Sequence, residues 1–157
     1  MIAVMDIENG PQGLIMNRIF SIRRAATLVA VAALVGGIGS VRAADVKVHL
    51  VGAEETPPVT TAATGDGTLS IAADKSVSGS VKTTGLEGTV AHIHLGAAGV
   101  AGPPIITLTK GADGTWSVPA GSKLTDEQYA SFKAGNLYVN VHSAAHAPGE
   151  IRAQLKP

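Results

Sequence analysis

From Asp45 onward the chain is divided into short segments in which apolar and polar residues alternate, and glycine, proline or Asp–Gly pairs mark the breaks between them. A period of two is the pattern of a strand with one buried face, and breaks this frequent leave little room for helices of ordinary length. Val46, Val48 and Leu50 alternate with Lys47, His49 and Val51. Thr56-Pro57-Pro58 then lacks ladder donors and marks an edge or a loop. Leu69, Ile71 and Ala73 alternate after Gly65-Asp66-Gly67, and Val77 to Thr83 follows Asp74-Lys75. Ala91, Ile93 and Leu95 form one face of the next strand. The stretch from Gly96 to Pro104 reads as a long turn leading into the β-branched run Ile105-Ile106-Thr107-Leu108. Asp113-Gly114 is a hairpin signal with Trp116 and Val118 beyond it. Leu137 to His142 and Glu150 to Leu155 complete the series.

One helix is expected within it, over Asp126 to Ala134. Thr125 is a good N-cap, Gln128 stands at the capping-box spacing, and Gly135 supplies the C-terminal stop. Two turns of helix suit a connector that packs Tyr129 and Phe132 onto the sheet. Seven or eight short strands with regular turns predict an all-β fold, an antiparallel Greek-key β-sandwich or barrel with one short connecting helix.

Residues 1–43 read differently. Arg18, Arg23 and Arg24 precede the uncharged run Ala25 to Ile38, and Val41-Arg42-Ala43 follows it. A basic region, an apolar stretch of about 7–15 residues and a small-residue site make a secretory signal peptide, with cleavage expected after Ala43. A membrane span would need about 20 apolar residues, so none is expected in the mature form. Arg23-Arg24 admits the twin-arginine route beside the general one. Residues 1–15 carry Asp6 and Glu8 and no base, so Met16 is the more ordinary start and the first residues are an N-terminal extension. The expected mature domain, residues 44–157, is periplasmic or secreted.

The split changes the charge arithmetic. The whole chain has 12 Lys and Arg against 12 Asp and Glu. Residues 44–157 keep eight bases and ten acids, a net charge of −2. Neither value gives the basic footprint of a nucleic-acid binder. The absence of cysteine excludes disulfides, thiolate metal sites and a cysteine nucleophile.

All five histidines fall in the mature region. With Ala91, Ile93 and Leu95 facing the core, His92 and His94 project from the opposite face, about 7 Å apart along the strand. Val139 and Val141 likewise turn His142 outward together with Asn140 and Tyr138. If the two strands are neighbours, three imidazoles converge outside the core, and His146, four residues later in a turn, is a candidate fourth. Neutral imidazoles without thiolate or thioether suit Cu(II), Zn(II) or Ni(II) and not a soft Cu(I) trap. The competing reading makes the same histidines sheet residues hydrogen-bonded to Glu150, Asn140 or backbone, binding nothing. His49 reads as a surface strand residue, and Arg152 as a hydrogen-bonding clamp to a turn or to Glu150.

A set of motifs carries a family resemblance: Gly52-x-x-Glu55-x-Pro57-Pro58-Val59, Ala91-His92-Ile93-His94, Gly99-x-x-Gly102-Pro103, the segment from Ala134 to Ser143, and the segment from Pro148 to Leu155. In order and spacing they resemble the CHRD domain, the module named after chordin, over residues 46–156. Ala153 stands where that family usually has Gly and Ser143 where Thr is usual. The resemblance implies an extracytoplasmic β-sandwich domain without an established catalytic activity. The histidine layout is also similar to the copper ligands of copper/zinc superoxide dismutase. The zinc-loop histidines, bridging histidine and disulfide of that enzyme have no match here.

Three functions follow as expectations. The first is an exported binding module holding copper or zinc, copper foremost, through His92, His94 and His142, with His146 as fourth ligand. The second is a structural or protein-interaction module, with a protein partner or a homo-oligomer and no metal. The third is a copper redox enzyme, for which the sequence names neither a general acid nor a substrate pocket.

Overall fold

The computed structural model describes residues 43–157, and the expected signal segment, with its alternative start at Met16, lies outside them. Nine strands form one antiparallel sheet: β1 (Ala43–Val51), β2 (Thr64–Ala72), β3 (Val77–Thr84), β4 (Gly88–Leu95), β5 (Pro104–Thr107), β6 (Thr109–Lys110), β7 (Thr115–Ser117), β8 (Leu137–Ser143) and β9 (Ile151–Leu155). Their order across the sheet is β5-β4-β8-β9-β1-β2-β3-β7-β6. The sheet curls until its ends approach. The Leu108 N–H donates to the Ala91 carbonyl at 2.9 Å, and Lys110 Nζ donates to the Gly88 carbonyl at 2.6 Å. The all-β expectation holds, as a nearly closed barrel.

The alternation places the core. Val46, Val48 and Leu50 of β1 face inward, as do Leu69 and Ile71 of β2, Val81 of β3 and Ile93 of β4. Trp116, Val139, Val141, Ile151 and Leu155 fill the interior with them. Ala73 does not continue the β2 face: it is exposed in the turn closed by the Lys75 N–H on the Ala72 carbonyl. The chain reverses there while the sequence pattern runs on. Asp113 and Gly114 both take positive φ, 53° and 72°, the backbone of a two-residue turn matched to strand twist.

The helix α1 (Asp126–Lys133) carries both halves of the capping box. The Gln128 N–H donates to Thr125 Oγ1 at 3.2 Å, and the Thr125 N–H donates to Gln128 Oε1 at 2.9 Å. Phe132 is buried in the core, and Tyr129 packs half-buried against it.

β8 decides where the site lies. It runs between β4 and β9, and all seven of its residues are buried. Leu137, Val139 and Val141 enter the barrel core, which puts Tyr138, Asn140 and His142 on the outer face of the strand. That face is covered by residues 52–61 and 96–103, so the histidines expected outside the core lie beneath loops and not on the surface of the sheet. The covering is polar and mostly main chain. Gln154 Nε2 donates to the Gly96 carbonyl at 2.8 Å, and the Leu95 N–H donates to the Pro103 carbonyl at 3.0 Å. The molecule thus has an apolar interior inside the barrel and a second, polar one beneath two loops.

Candidate metal centre

The register of β4 and β8 sets His92 opposite Asn140, Val90 opposite His142 and His94 opposite Tyr138. His92 and His94 leave β4 on one face, and His142 meets them from the next strand. Their ring centroids are 5.2 Å (His92–His94), 5.0 Å (His92–His142) and 6.0 Å (His94–His142) apart. One nitrogen from each ring lies within 4.8 Å of the others. His94 and His142 are buried, and His92 is half-buried.

Main-chain carbonyls fix which nitrogens are free. His94 Nδ1 lies 2.8 Å from the Gly102 carbonyl, and His142 Nδ1 lies 2.8 Å from the Ala147 carbonyl. A carbonyl only accepts, so both Nδ1 atoms carry the hydrogen and both Nε2 atoms present lone pairs. His142 Nε2 lies 3.1 Å from His92 Nδ1. His94 Nε2 is buried without a hydrogen-bond partner. Carbonyls behind two imidazoles are the orienting partners that metal-bound histidines require.

Burial disfavours the charged form of His92 and His94. Burial lowers the His92 imidazole below its ordinary value, helped by repulsion from His142 and His94. Burial lowers His94 too, partly offset by its bond to Gly102 and by the Asn140 side chain, and reinforced by His142 and Arg152.

The remaining expected residues fall elsewhere. The half-buried His146 is outside the group of close nitrogens and contributes its main chain to the turn, its N–H donating to Ser143 Oγ at 3.2 Å and its carbonyl accepting from Gly149. The exposed His49 pairs across β1 and β2 with Asp66, Nδ1 to Oδ1, at 2.7 Å. Arg152, almost wholly buried, is the expected clamp, and its partner is a turn and not Glu150. It donates to the carbonyls of Ala97 (2.8 Å) and Val100 (3.2 Å), to Thr56 Oγ1 (3.3 Å) and to Gln154 Oε1 (3.0 Å). Glu150 accepts instead from Thr61 Oγ1 at 2.8 Å.

Beside the histidines lie Asn140, expected from the sequence only as a hydrogen-bonding neighbour, and Glu55 and Gly102, to which the sequence assigns no part in the site. Asn140 donates from Nδ2 to Glu55 Oε1 at 3.3 Å, and its own Oδ1 is buried without a partner. Burial raises the Glu55 carboxyl above its ordinary value, against the opposing pull of Asn140, Thr56 and Arg152. Gly102 receives His94 and donates its N–H to the Tyr138 hydroxyl at 3.2 Å. A Cβ there would stand 1.7 Å from the Leu95 carbonyl oxygen, so only glycine fits. Glu55 and Gly102 do lie within the family motifs, which is the one signal that singled them out. A cleft of about 390 Å³ between the two loops is lined by Glu55, Arg152 and Lys156 among others, and by none of the three histidines.

The family model described as CHRD domain matches residues 46–155. No curated protein and no solved structure matches the chain. The match takes in all but the ends of the described fold, including both histidine strands and both covering loops, and the chain belongs to the CHRD domain family.

Proposed function

We propose that this domain is a binding module for a divalent transition metal, held by His92 Nδ1, His94 Nε2 and His142 Nε2. The observation that carries the reading is the buried His94 Nε2, a lone pair with no hydrogen to accept. Burying such an acceptor unpaired costs about 1–3 kcal/mol, and a cation between the three rings removes that cost. Copper(II) is the favoured ion and zinc the second, since neutral imidazoles suit both and copper stands higher in the affinity order. The work of the module is to store, deliver or buffer the ion and not to turn over a substrate. We place it outside the cytoplasm, after removal of the segment ending at Ala43, which shortens β1 by its first residue and keeps it from Ala44 onward. A contact between His92 and His142 favours a second reading, in which the rings only hold the strands together.

Elemental analysis separates the two. The mature protein, loaded with copper or zinc and dialysed, is expected to hold one ion per chain, and the His92→Ala/His94→Ala variant none. Equal, near-zero metal in both proteins would leave the structural reading.

A further inference from the structure

Among the described residues three buried side-chain polar atoms have no hydrogen-bond partner: His94 Nε2, Asn140 Oδ1 and Trp116 Nε1. Trp116 Nε1 is a donor on a core residue of the barrel. The other two are acceptors on the same covered face of adjacent strands. With its hydrogen on Nδ1 against the Gly102 carbonyl, a neutral His94 cannot donate to Asn140 Oδ1, and only a second proton on the ring would join the two atoms by a hydrogen bond.

The orientation of the Asn140 amide is set from behind. Its Nδ2 donates to Glu55 Oε1, and a carboxylate accepts only, so the amide nitrogen faces Glu55 and the oxygen faces away. Gly149 makes room for this pair. A Cβ at that position would stand 2.3 Å from Glu55 Oε1 and 2.7 Å from Asn140 Nδ2. In register Asn140 sits opposite His92, two residues from His142 on the same face of β8. A 1% exposed amide there is shielded from bulk water.

We propose that Asn140 Oδ1 is a fourth donor to the ion that the three histidines hold, an inference that rests on the metal-binding reading above. One electrophile satisfies both bare acceptors at once, which no hydrogen bond between them does while the imidazole is neutral. Donation from Nδ2 to the Glu55 carboxylate raises the electron density on Oδ1, as an outer carboxylate does for a coordinating imidazole. A neutral oxygen added to three imidazole nitrogens makes an N3O set, suited to Cu(II) or Zn(II) and unsuited to Cu(I).

The test titrates the mature protein and its Asn140→Leu and Asn140→Asp variants with Zn(II) and Cu(II), with thermal unfolding of the metal-free forms alongside. Asn140→Leu is expected to weaken Zn(II) binding by roughly 10- to 100-fold or more, the loss typical of a removed supporting group at least. Asn140→Asp is expected to keep binding and to shift the Cu(II) electron paramagnetic resonance spectrum, because a neutral oxygen donor becomes an anionic one. That spectral shift is the readout a merely structural amide would not move, and it carries the test if Asn140→Leu does not fold. Wild-type affinity in Asn140→Leu, or a Cu(II) spectrum unchanged in Asn140→Asp, would overturn the inference and leave the three-histidine site standing. No ion bound by the unaltered protein would overturn both.

Discussion

The guanidinium of Arg152 lies 3.4 Å over the ring of Tyr138, which is itself stacked on His94 at 4.7 Å with the planes 9° apart. β8 lies between β4 and β9, so the tyrosine is held between a candidate metal ligand on one side and a buried cation on the other. Among the described residues Arg152 makes no ion pair within salt-bridge distance; its charge rests on two loop carbonyls, two side-chain oxygens and the tyrosine face. The planar fork reaches Ala97, Val100, Thr56 and Gln154 together, which an ammonium cannot do.

Arg152→Lys is therefore expected to destabilise the fold by about 2–4 kcal/mol, since bonds from a charged donor are lost and carbonyls stay buried. Urea denaturation of the metal-free protein measures it. A midpoint equal to that of wild type would show that the loop does not depend on the fork.

Gly102→Ala should cost about 1–3 kcal/mol, because the new methyl meets the Leu95 carbonyl and the loop must shift. The shift withdraws the carbonyl that fixes His94. Metal affinity should fall roughly 10- to 100-fold, as for other lost ligand supports. In nitrogen-15 spectra of the imidazoles, the hydrogen on His94 Nδ1 should lose its protection. A protected hydrogen in the variant would contradict the assignment.

Acidification should weaken the metal-free protein. His92 and His94 sit below the ordinary value of 6.5, burial being the first cause for each. A histidine with a depressed native value binds its proton more readily when unfolded. Its stabilising contribution is present above the unfolded value and is lost as the pH falls below about 6.5 through the native value. Glu55 works in the opposite sense. Burial raises it above 4.5, so its contribution is present below that value and is lost as the pH rises through the native one. Melting temperatures in chelator should fall from about pH 7 to about pH 5, and fall further in Glu55→Gln, where the opposing carboxyl is gone. A flat profile in both proteins would refute the histidine assignment.

The helix offers a contrast between local and tertiary stabilisation. Thr125→Ala removes the side-chain half of the capping box and should cost about 1 kcal/mol. Phe132→Ala empties a buried core position and should cost about 3–5 kcal/mol. Paired denaturation curves give both values, and a larger loss from Thr125→Ala would mean that the cap, and not the packing, holds the helix to the barrel.

The apolar half of the design was legible because alternation is written in residue types. Val46, Val48 and Leu50 could be assigned to the core from spacing alone, and the same rule put His92 and His94 on one face. Neighbouring of β4 and β8 was not legible, since strand order depends on contacts across more than 40 residues of chain. The burial of Tyr138, Asn140 and His142 was misread for a different reason. Polar side chains mark an outward face only where water covers it, and here loop atoms do. For Tyr138 and His142 those atoms are main-chain groups of Gly102 and Ala147, residues whose side chains announce no polar partner, and for Asn140 they are the carboxylate of the distant Glu55.

Both buried imidazole rings are fixed by carbonyls of Gly102 and Ala147, groups that every amino acid possesses. The two loops can thus exchange side chains while the imidazoles keep their aim, provided the path of the chain is unchanged. What such loops must conserve is their length and the few points without a Cβ, Gly102 and Gly149 foremost. Between relatives, an insertion of one residue into either loop will disturb the centre more than several exchanges of residue type within it.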